Sequence, residues 1–251
     1  MTNIILRGCN GKMGQVITEI VEADENAVIV AGIDISIDKN NPYPVYQSFS
    51  KCNVKADVII DFSSPKLLEE MLGYAQKNSI AIVLCTTGFT KEQLEQIDGA
   101  SKKIAILRSA NMSMGINLIL KLIQEAAKVL SEADFDIEIV ERHHNKKVDA
   151  PSGTALALAD AMNEVLQNQY EYKYDRSQER VMRSKKEIGI SAVRGGTIVG
   201  EHEVIFAGTD EVIEIKHTAY SKAIFAKGAV QAAKYLPGRA AGMYQMSDLI
   251  G

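Results

Sequence analysis

The feature that most constrains the fold is a strand, a glycine-rich turn and a helix, in that order, at the start of the chain. Asn3-Ile4-Ile5-Leu6-Arg7 reads as a buried strand leading into Gly8-Cys9-Asn10-Gly11-Lys12-Met13-Gly14. Val16, Ile17, Ile20 and Val21 then continue as an amphipathic helix. Gly8 permits the tight turn, Gly11 lets the backbone approach a pyrophosphate, and Gly14 allows helix and strand to pack closely. The G-x-x-G-x-x-G spacing differs from G-x-G-x-x-G, so the reading leans on the elements downstream of the turn. A second apolar strand covers 28–33, and Asp34 stands at its C-terminal end. That lies about twenty residues past the loop, where a carboxylate can accept hydrogen bonds from an adenosine ribose. Strands at 56–61, 80–84 and 104–107 alternate with helices at 65–77 and 91–101. Such alternation predicts a parallel, doubly wound sheet.

Ligands of such sheets lie beyond the carboxyl ends of the strands. Those ends are Asp61-Phe62-Ser63-Ser64-Pro65, Cys85-Thr86-Thr87-Gly88-Phe89 and Ser109-Ala110-Asn111-Met112-Ser113. Their small polar residues suit the border of a nicotinamide, although short loops favour the same residues as turns and caps. After Gly115 the pattern changes. Ile116, Ile119, Leu120, Ile123 and Ala127 mark a long helix, and 135–139 alternates as a strand. Residues 170–187 are polar and weakly patterned, which predicts a surface excursion or a mobile loop. Strands follow at 190–193, 202–207 and 212–218, the last two joined by Gly208-Thr209-Asp210. A tight turn makes them antiparallel, and an open face on such a sheet is a common oligomer surface. A helix over 221–236 closes the pattern.

The chemistry concentrates in Glu141-Arg142-His143-His144-Asn145-Lys146-Lys147-Val148-Asp149-Ala150-Pro151-Ser152-Gly153-Thr154, read as a connection between a strand and a helix over 155–165. Ser152-Gly153-Thr154 falls where backbone N–H groups lack intrahelical partners and attract anions. Two imidazoles, lysines and a helix N-terminus point to a small acid that is bound and given a proton. Each feature alone has a plain structural reading as solvated loop, surface charge or N-cap; their coincidence is what argues for function. His202 and His217 fall in strand patterns and read as structural. Gly195-Gly196 and Gly200-Glu201-His202 suggest a tight backbone path near the substrate.

At 251 residues the chain suits one large or two small domains. A net charge of −4 argues against general nucleic-acid binding, while local cations can still serve an acidic ligand. Cys9, Cys52 and Cys85 are odd in number and scattered, without metal-type spacing, which predicts a reduced cytoplasm and no metal. No signal peptide opens the sequence, and its apolar runs are too short to span a bilayer.

Together these segments resemble the dihydrodipicolinate (4-hydroxy-tetrahydrodipicolinate) reductase family of the diaminopimelate route to lysine. The similarity takes in 8–14, Asp61-Phe62-Ser63, Thr86-Thr87-Gly88-Phe89, Ala110-Asn111-Met112-Ser113, Gly115-Ile116-Asn117, 143–154, Arg194-Gly195-Gly196, Gly200-Glu201-His202 and Phe225-Ala226-Lys227-Gly228-Ala229. The His-His-x-x-Lys-x-Asp-Ala-Pro-Ser-Gly-Thr run is its most specific part. The resemblance implies an α/β fold, with an N-terminal Rossmann sheet over 1–114 plus 224–251. The second, mixed α+β domain over 115–223 would bind substrate and form a homotetramer. It implies His143 as catalytic histidine and Lys147 as proton donor, with His144, Gly153 and Thr154 holding a small dicarboxylate substrate. It further implies NADH or NADPH held by Gly8, Cys9, Asn10, Gly11, Lys12, Met13, Asp34, Cys85, Thr86, Thr87, Ser109, Ala110, Asn111 and Met112.

Three departures bear on this. Cys85 stands where the family commonly has glycine, and Lys222 where arginine is frequent. Ile35 follows Asp34 in place of a basic residue, so a 2′-phosphate would need another cation, for which Lys12 is the candidate. NADH preference with some NADPH use is the expectation. Two other readings stand beside this one. An aspartate dehydrogenase would share the Rossmann half without the 143–154 run, and a non-catalytic NAD-sensing module would add a basic DNA-reading helix.

Overall fold

The computed structural model describes residues 1–37, 39–109 and 111–250. It divides into two compact units, Met1–Met114 with Ala223–Gly251, and Gly115–Lys222. The chain runs β1 (Thr2–Arg7), α1 (Lys12–Glu22), β2 (Ala27–Ile33), β3 (Val45–Tyr46), β4 (Val58–Asp61), α2 (Leu68–Asn78), β5 (Ala81–Leu84), α3 (Lys91–Ser101) and β6 (Ala105–Arg108) through the first unit. It continues through α4 (Met114–Glu132), β7 (Asp136–His143), α5 (Gly153–Val165), β8 (Glu171–Lys173), β9 (Glu187–Arg194), β10 (Gly200–Ala207) and β11 (Val212–Ala219). Finally α6 (Ala223–Tyr235) and β12 (Gly242–Tyr244) return to the first unit.

The first sheet has seven strands in the order β12-β6-β5-β4-β1-β2-β3, every adjacent pair parallel. Its centre is the Rossmann order, which reverses direction between β1 and β4 and opens a crevice there. The pleat sends alternate side chains to opposite faces. Ile4, Leu6, Val58 and Ile60 join the core with α1 and α6. Ile5, Ile59, Ile82 and Ile106 join the core with α2 and α3. Burial on both faces explains why these strands read as continuous apolar runs. The expected doubly wound sheet is therefore present, with two short edge strands, β3 and β12, that local pattern does not announce.

The glycine turn works through close approach. Gly8 has φ +80°, and a Cβ there would lie 2.4 Å from the Phe62 carbonyl oxygen. A Cβ on Gly14 would lie 2.2 Å from the Gly8 carbonyl oxygen, so a side chain would push α1 off the turn. α1 begins after Gly11 without a side-chain cap and without an acidic residue in its first turn. Its N-terminal dipole is thus left for an outside anion.

The second unit holds a five-stranded sheet, β11-β10-β7-β9-β8. β10 pairs antiparallel with both β11 and β7, as the tight turn predicts for the first pair. β9 runs parallel to β7 and to β8, which makes the sheet mixed, within the mixed α+β domain that the resemblance implies. Residues 170–187 are for the most part the exposed surface excursion that the sequence predicts. They include the edge strand β8, and Arg183 ties the segment back by donating to Glu138 at 2.9 Å and Asp136 at 2.9 Å. The polar composition that reads as a loop is a set of ion-pair partners.

Candidate active site

The strand β7 runs farther than its apolar pattern suggests. That pattern ends near Ile139 and leaves Glu141, Arg142 and His143 to a connection; all three lie within the strand. Pairing with Glu201 and His202 of β10 and with Val193 and Arg194 of β9 carries the ladder through these charged residues. Period two then puts Glu141 and His143 on one face. Glu141 is fully buried and His143 nearly so.

Glu141 is the hub. Its Oε1 accepts from Ser152 N–H at 2.9 Å and from Arg194 Nη2 at 2.7 Å. Its Oε2 accepts from Arg194 Nη1 at 2.7 Å and lies 2.6 Å from His143 Nδ1. Burial alone would raise this carboxyl, but the bonds from Arg194, His143 and the Ser152 N–H together hold it below the usual carboxylate range. The His143 ring packs beside Gly200, where a Cβ would lie 3.1 Å from Nε2. It also meets the His202 ring edge-on, with centroids 5.1 Å apart.

His202 Nε2 lies 2.9 Å from Ser152 Oγ, which in turn caps α5 by accepting the Ala155 N–H at 3.1 Å. Burial, reinforced by His143 nearby, lowers the His202 pKa from 6.5 to about 4. The unfolded chain therefore binds a proton at this site between those values while the folded chain does not. Its stabilisation is complete above pH 6.5 and is lost as pH falls toward 4, by up to about 3 kcal/mol. Denaturant unfolding near pH 7.5 and near pH 5 checks this: His202→Gln should flatten the dependence. An unchanged slope in that variant would contradict it.

The turn after β7 carries the remaining groups. Gly195 N–H donates to the His143 carbonyl at 2.9 Å, and Asn145 N–H to the Gly196 carbonyl at 3.2 Å, which binds the turn to the end of β9. His144 follows the strand, with a buried Nδ1 lacking a partner among the described residues. Lys147 Nζ donates to both Asp149 oxygens, at 2.7 and 2.8 Å. The lysine lowers the Asp149 carboxyl, but the aspartate is exposed, so the pair is weak enough to give way to another anion. Gly153 and Thr154 occupy the first two positions of α5. Residue patterns place Ser152 at the start of α5 and Asp149 in the same run, but do not reveal the tertiary bonds that join Ser152 N–H to Glu141 and Arg194 to Glu141 and to the Asp149 carbonyl.

In the first unit a cavity of about 730 Å³ opens at the reversal of strand order. It gathers Gly8, Asn10, Gly11 and Asp34 from the expected cofactor set, with Ser36, Lys39, Ser63 and Lys66. Asp34 accepts Asn10 N–H at 2.9 Å and Ser36 N–H at 3.2 Å, pinning the glycine turn to the end of β2. Arg7, also on the cavity wall, donates to Asp61 at 3.0 Å and to the Lys66 carbonyl. Burial pushes the Asp61 carboxyl up, against the pull of Arg7. Thr86 is buried and accepts Ser63 N–H at 3.0 Å, linking the loops after β4 and β5.

The other expected cofactor residues are spread along the same sheet edge or lie inside it. Cys9 is fully buried beneath Gly32, its thiol pushed by burial to about 12, so it can offer a ligand only its backbone. Met112 is buried in the core with α6. Lys12 and Met13 open α1, Cys85 and Thr87 flank Thr86 after β5, and Ser109 and Asn111 follow β6. Ala110 lies outside the described residues. Among the described residues no group of three or more His, Cys, Asp or Glu could hold a metal, and no helix is long and apolar enough to cross a membrane.

Both parts of the chain match known sequences. Residues 2–112 match the profile described as Dihydrodipicolinate reductase, N-terminus, and residues 115–250 the one described as Dihydrodipicolinate reductase, C-terminus. The chain belongs to the dihydrodipicolinate reductase family. The 4-hydroxy-tetrahydrodipicolinate reductase of Clostridium novyi (strain NT) is 49% identical over 250 residues, covering 100% of this chain and 98% of the relative. That of Caldanaerobacter subterraneus subsp. tengcongensis is 50% identical over 253 residues, with 100% and 98% covered. The dipicolinate-bound dihydrodipicolinate reductase of Paenisporosarcina sp. TG-14 superposes with a TM-score of 0.81 at 26% identity, covering 98% of this chain and 97% of that one. The resemblance carried by the short motifs thus extends over the whole dihydrodipicolinate reductase chain.

Proposed function

We propose that this protein reduces (2S,4S)-4-hydroxy-2,3,4,5-tetrahydrodipicolinate to 2,3,4,5-tetrahydrodipicolinate with loss of water, at the expense of NADH or NADPH. Its relatives carry the name of that reaction over their full length. The observation that carries the reading is local: an imidazole at the end of β7, an ammonium in the turn that follows and the N-terminus of α5 fall within one short segment of the second unit. A family member is described with dipicolinate bound, a planar ring with two carboxylates, which supports a small dicarboxylate as the ligand here.

When bound, the nicotinamide supplies a hydride, which goes to ring carbon 4 once the hydroxyl has left as water. The chain's own residues then have three tasks. Gly153 and Thr154, at the positive end of α5, receive one carboxylate, and His144 adds a polar contact. Lys147 exchanges its Asp149 partner for the substrate and neutralises it or polarises the ring nitrogen. Carbon 5, left electron-rich after hydride transfer, takes a proton from the His143 and Lys147 pair. Cytoplasmic residence and a homotetramer belong to the same proposal, both following from the family resemblance.

For the cofactor, the uncapped start of α1 suits the pyrophosphate and Asp34 the ribose hydroxyls, favouring NADH. Ile35 offers no cation to a 2′-phosphate. Both lysines are exposed, but Lys39 lines the cavity with Asp34 and Ser36, whereas Lys12, at the start of α1, is not part of its lining. Lys39 is therefore the stronger candidate than Lys12 for reading that phosphate, with NADPH used second to NADH. Turnover of freshly generated substrate with each cofactor tests the function, and absence of turnover with both would refute it. Calorimetric titration tests the cofactor reading: Lys39→Ala should weaken NADPH about fivefold to tenfold more than NADH. Equal losses for the two would remove Lys39 from that role, and a selective loss in Lys12→Ala would restore the lysine of the glycine loop.

A further inference from the structure

Proton transfer and substrate binding employ His143 and Lys147 and leave Glu141 without a task. A carboxylate buried to 0% exposure is costly unless its charge and lone pairs are met. Here they are met in full. Arg194 forks onto both oxygens at 2.7 Å each, and Ser152 N–H adds a third bond at 2.9 Å. An ionised carboxylate only accepts hydrogen bonds, so the nitrogen 2.6 Å from Oε2 must be the one that carries a proton. That nitrogen is His143 Nδ1. The exchangeable position of His143 is then Nε2, on the side of the ring beside Gly200.

We propose that Glu141, clamped by Arg194 and the Ser152 N–H, is a positioning residue that fixes His143 as the Nδ1–H tautomer and stabilises the charge the ring takes on when Nε2 is protonated. This rests on the reading of His143 as a proton-handling residue. The arrangement follows from register. Glu141 and His143 are two apart on β7, and Arg194 is the β9 partner of His143. Arg194 Nη2 also donates to the Asp149 carbonyl at 2.6 Å, so the same guanidinium steadies the turn that carries Lys147.

Other charged or titratable groups face this pair. His202 meets the His143 ring from β10, and His217 is its cross-strand partner on β11. Lys147 and Asp149 approach from the turn before α5. Neither His202 nor His217 supplies a permanent charge, because burial disfavours protonation of both. Lys147 and Asp149 largely cancel one another, and Arg194 is neutralised by Glu141 itself. Among these groups the carboxylate in contact with the ring is the one whose removal acts most directly on its proton.

The test is nitrogen NMR of the full protein with ¹⁵N-labelled histidine, joined to the pH dependence of kcat/KM. Wild type should show His143 with its proton on Nδ1. Glu141→Gln should lose that tautomer preference, lower kcat by about 10²-fold and move the basic limb of the profile to lower pH. Substrate KM should change far less, and Glu141→Asp should recover part of the rate. An Nε2–H tautomer in wild type would overturn the proposal even if no variant folds. A folded Glu141→Gln enzyme with unchanged tautomer and pH profile would also overturn it. Retention of full turnover by His143→Ala would instead remove the catalytic reading on which it rests, while leaving the tautomer result to be read separately.

Discussion

Alanine at His143 or at Lys147 is expected to lower kcat by about 10²–10⁴-fold, the contribution typical of a general acid or base. Cofactor affinity should stay within about twofold, since the residues proposed to hold the nucleotide all fall within the other compact unit. The two substitutions should differ in KM. His143 is nearly buried, bonded to Glu141 and packed on His202, so its loss should remove the proposed proton handling and leave the proposed carboxylate-binding turn in place. Lys147 is a flexible ammonium held by an exposed aspartate, so its loss should also raise substrate KM. Steady-state kinetics with circular dichroism as a fold control measures both. A loss of less than about threefold at both positions, with intact secondary structure, would remove these residues from the chemistry.

Gly228→Ala should be among the most damaging single substitutions for folding. Glycine inside a helix is ordinarily about 1 kcal/mol worse than alanine, so helix propensity predicts a gain. The structure predicts the reverse. A Cβ at Gly228 would lie 1.7 Å from the Met112 carbonyl oxygen, far inside contact distance, with Met246 Cε at 3.4 Å beyond. The obstacle is backbone, so α6 or the segment at Met112 must shift, within a core shared by Ala226, Ala229 and Val230. Overpacking of this kind costs about 1–3 kcal/mol, occasionally more, and a Tm fall of about 10 °C is expected. Thermal unfolding followed by circular dichroism decides it; a Tm equal to or above wild type would show that the helix takes up the methyl without strain.

The legibility of each residue in the sequence depends on whether its partners are local or distant. The alternation through residue 107 reports burial on both faces of a parallel sheet, and helices α1 and α3 appear because their apolar stripes are local signals. The end of β7 is hidden because Glu141, Arg142 and His143 break the apolar pattern. Their place in the strand is set by ladders to β9 and β10, about fifty or more residues away. For the same reason nothing local connects Arg194 with the histidine: the Arg194–Glu141 bond spans 53 positions. The polar stretch before β9 reads as loose because ion pairs leave no periodicity, although Arg183 reaches Asp136 across 47 positions. Lys39 carries no sequence signal because only the fold of the loop after β2 brings it to the cavity rim. Candidate residues are visible where chemistry is packed into a short run, as in 143–154, and hidden where it is assembled across strands.

The proposed reaction passes a hydride to carbon 4 of a dicarboxylate ring and a solvent-derived proton to carbon 5. The most direct measurement is one turnover experiment on the wild-type protein with freshly generated substrate, read by NMR or mass spectrometry of the product. With NADH deuterated at the transferred position in ordinary water, deuterium should appear at carbon 4 alone. With ordinary NADH in deuterated water, it should appear at carbon 5 and not at carbon 4. Oxidation of the cofactor without those labels, or no product with either NADH or NADPH, would contradict the account.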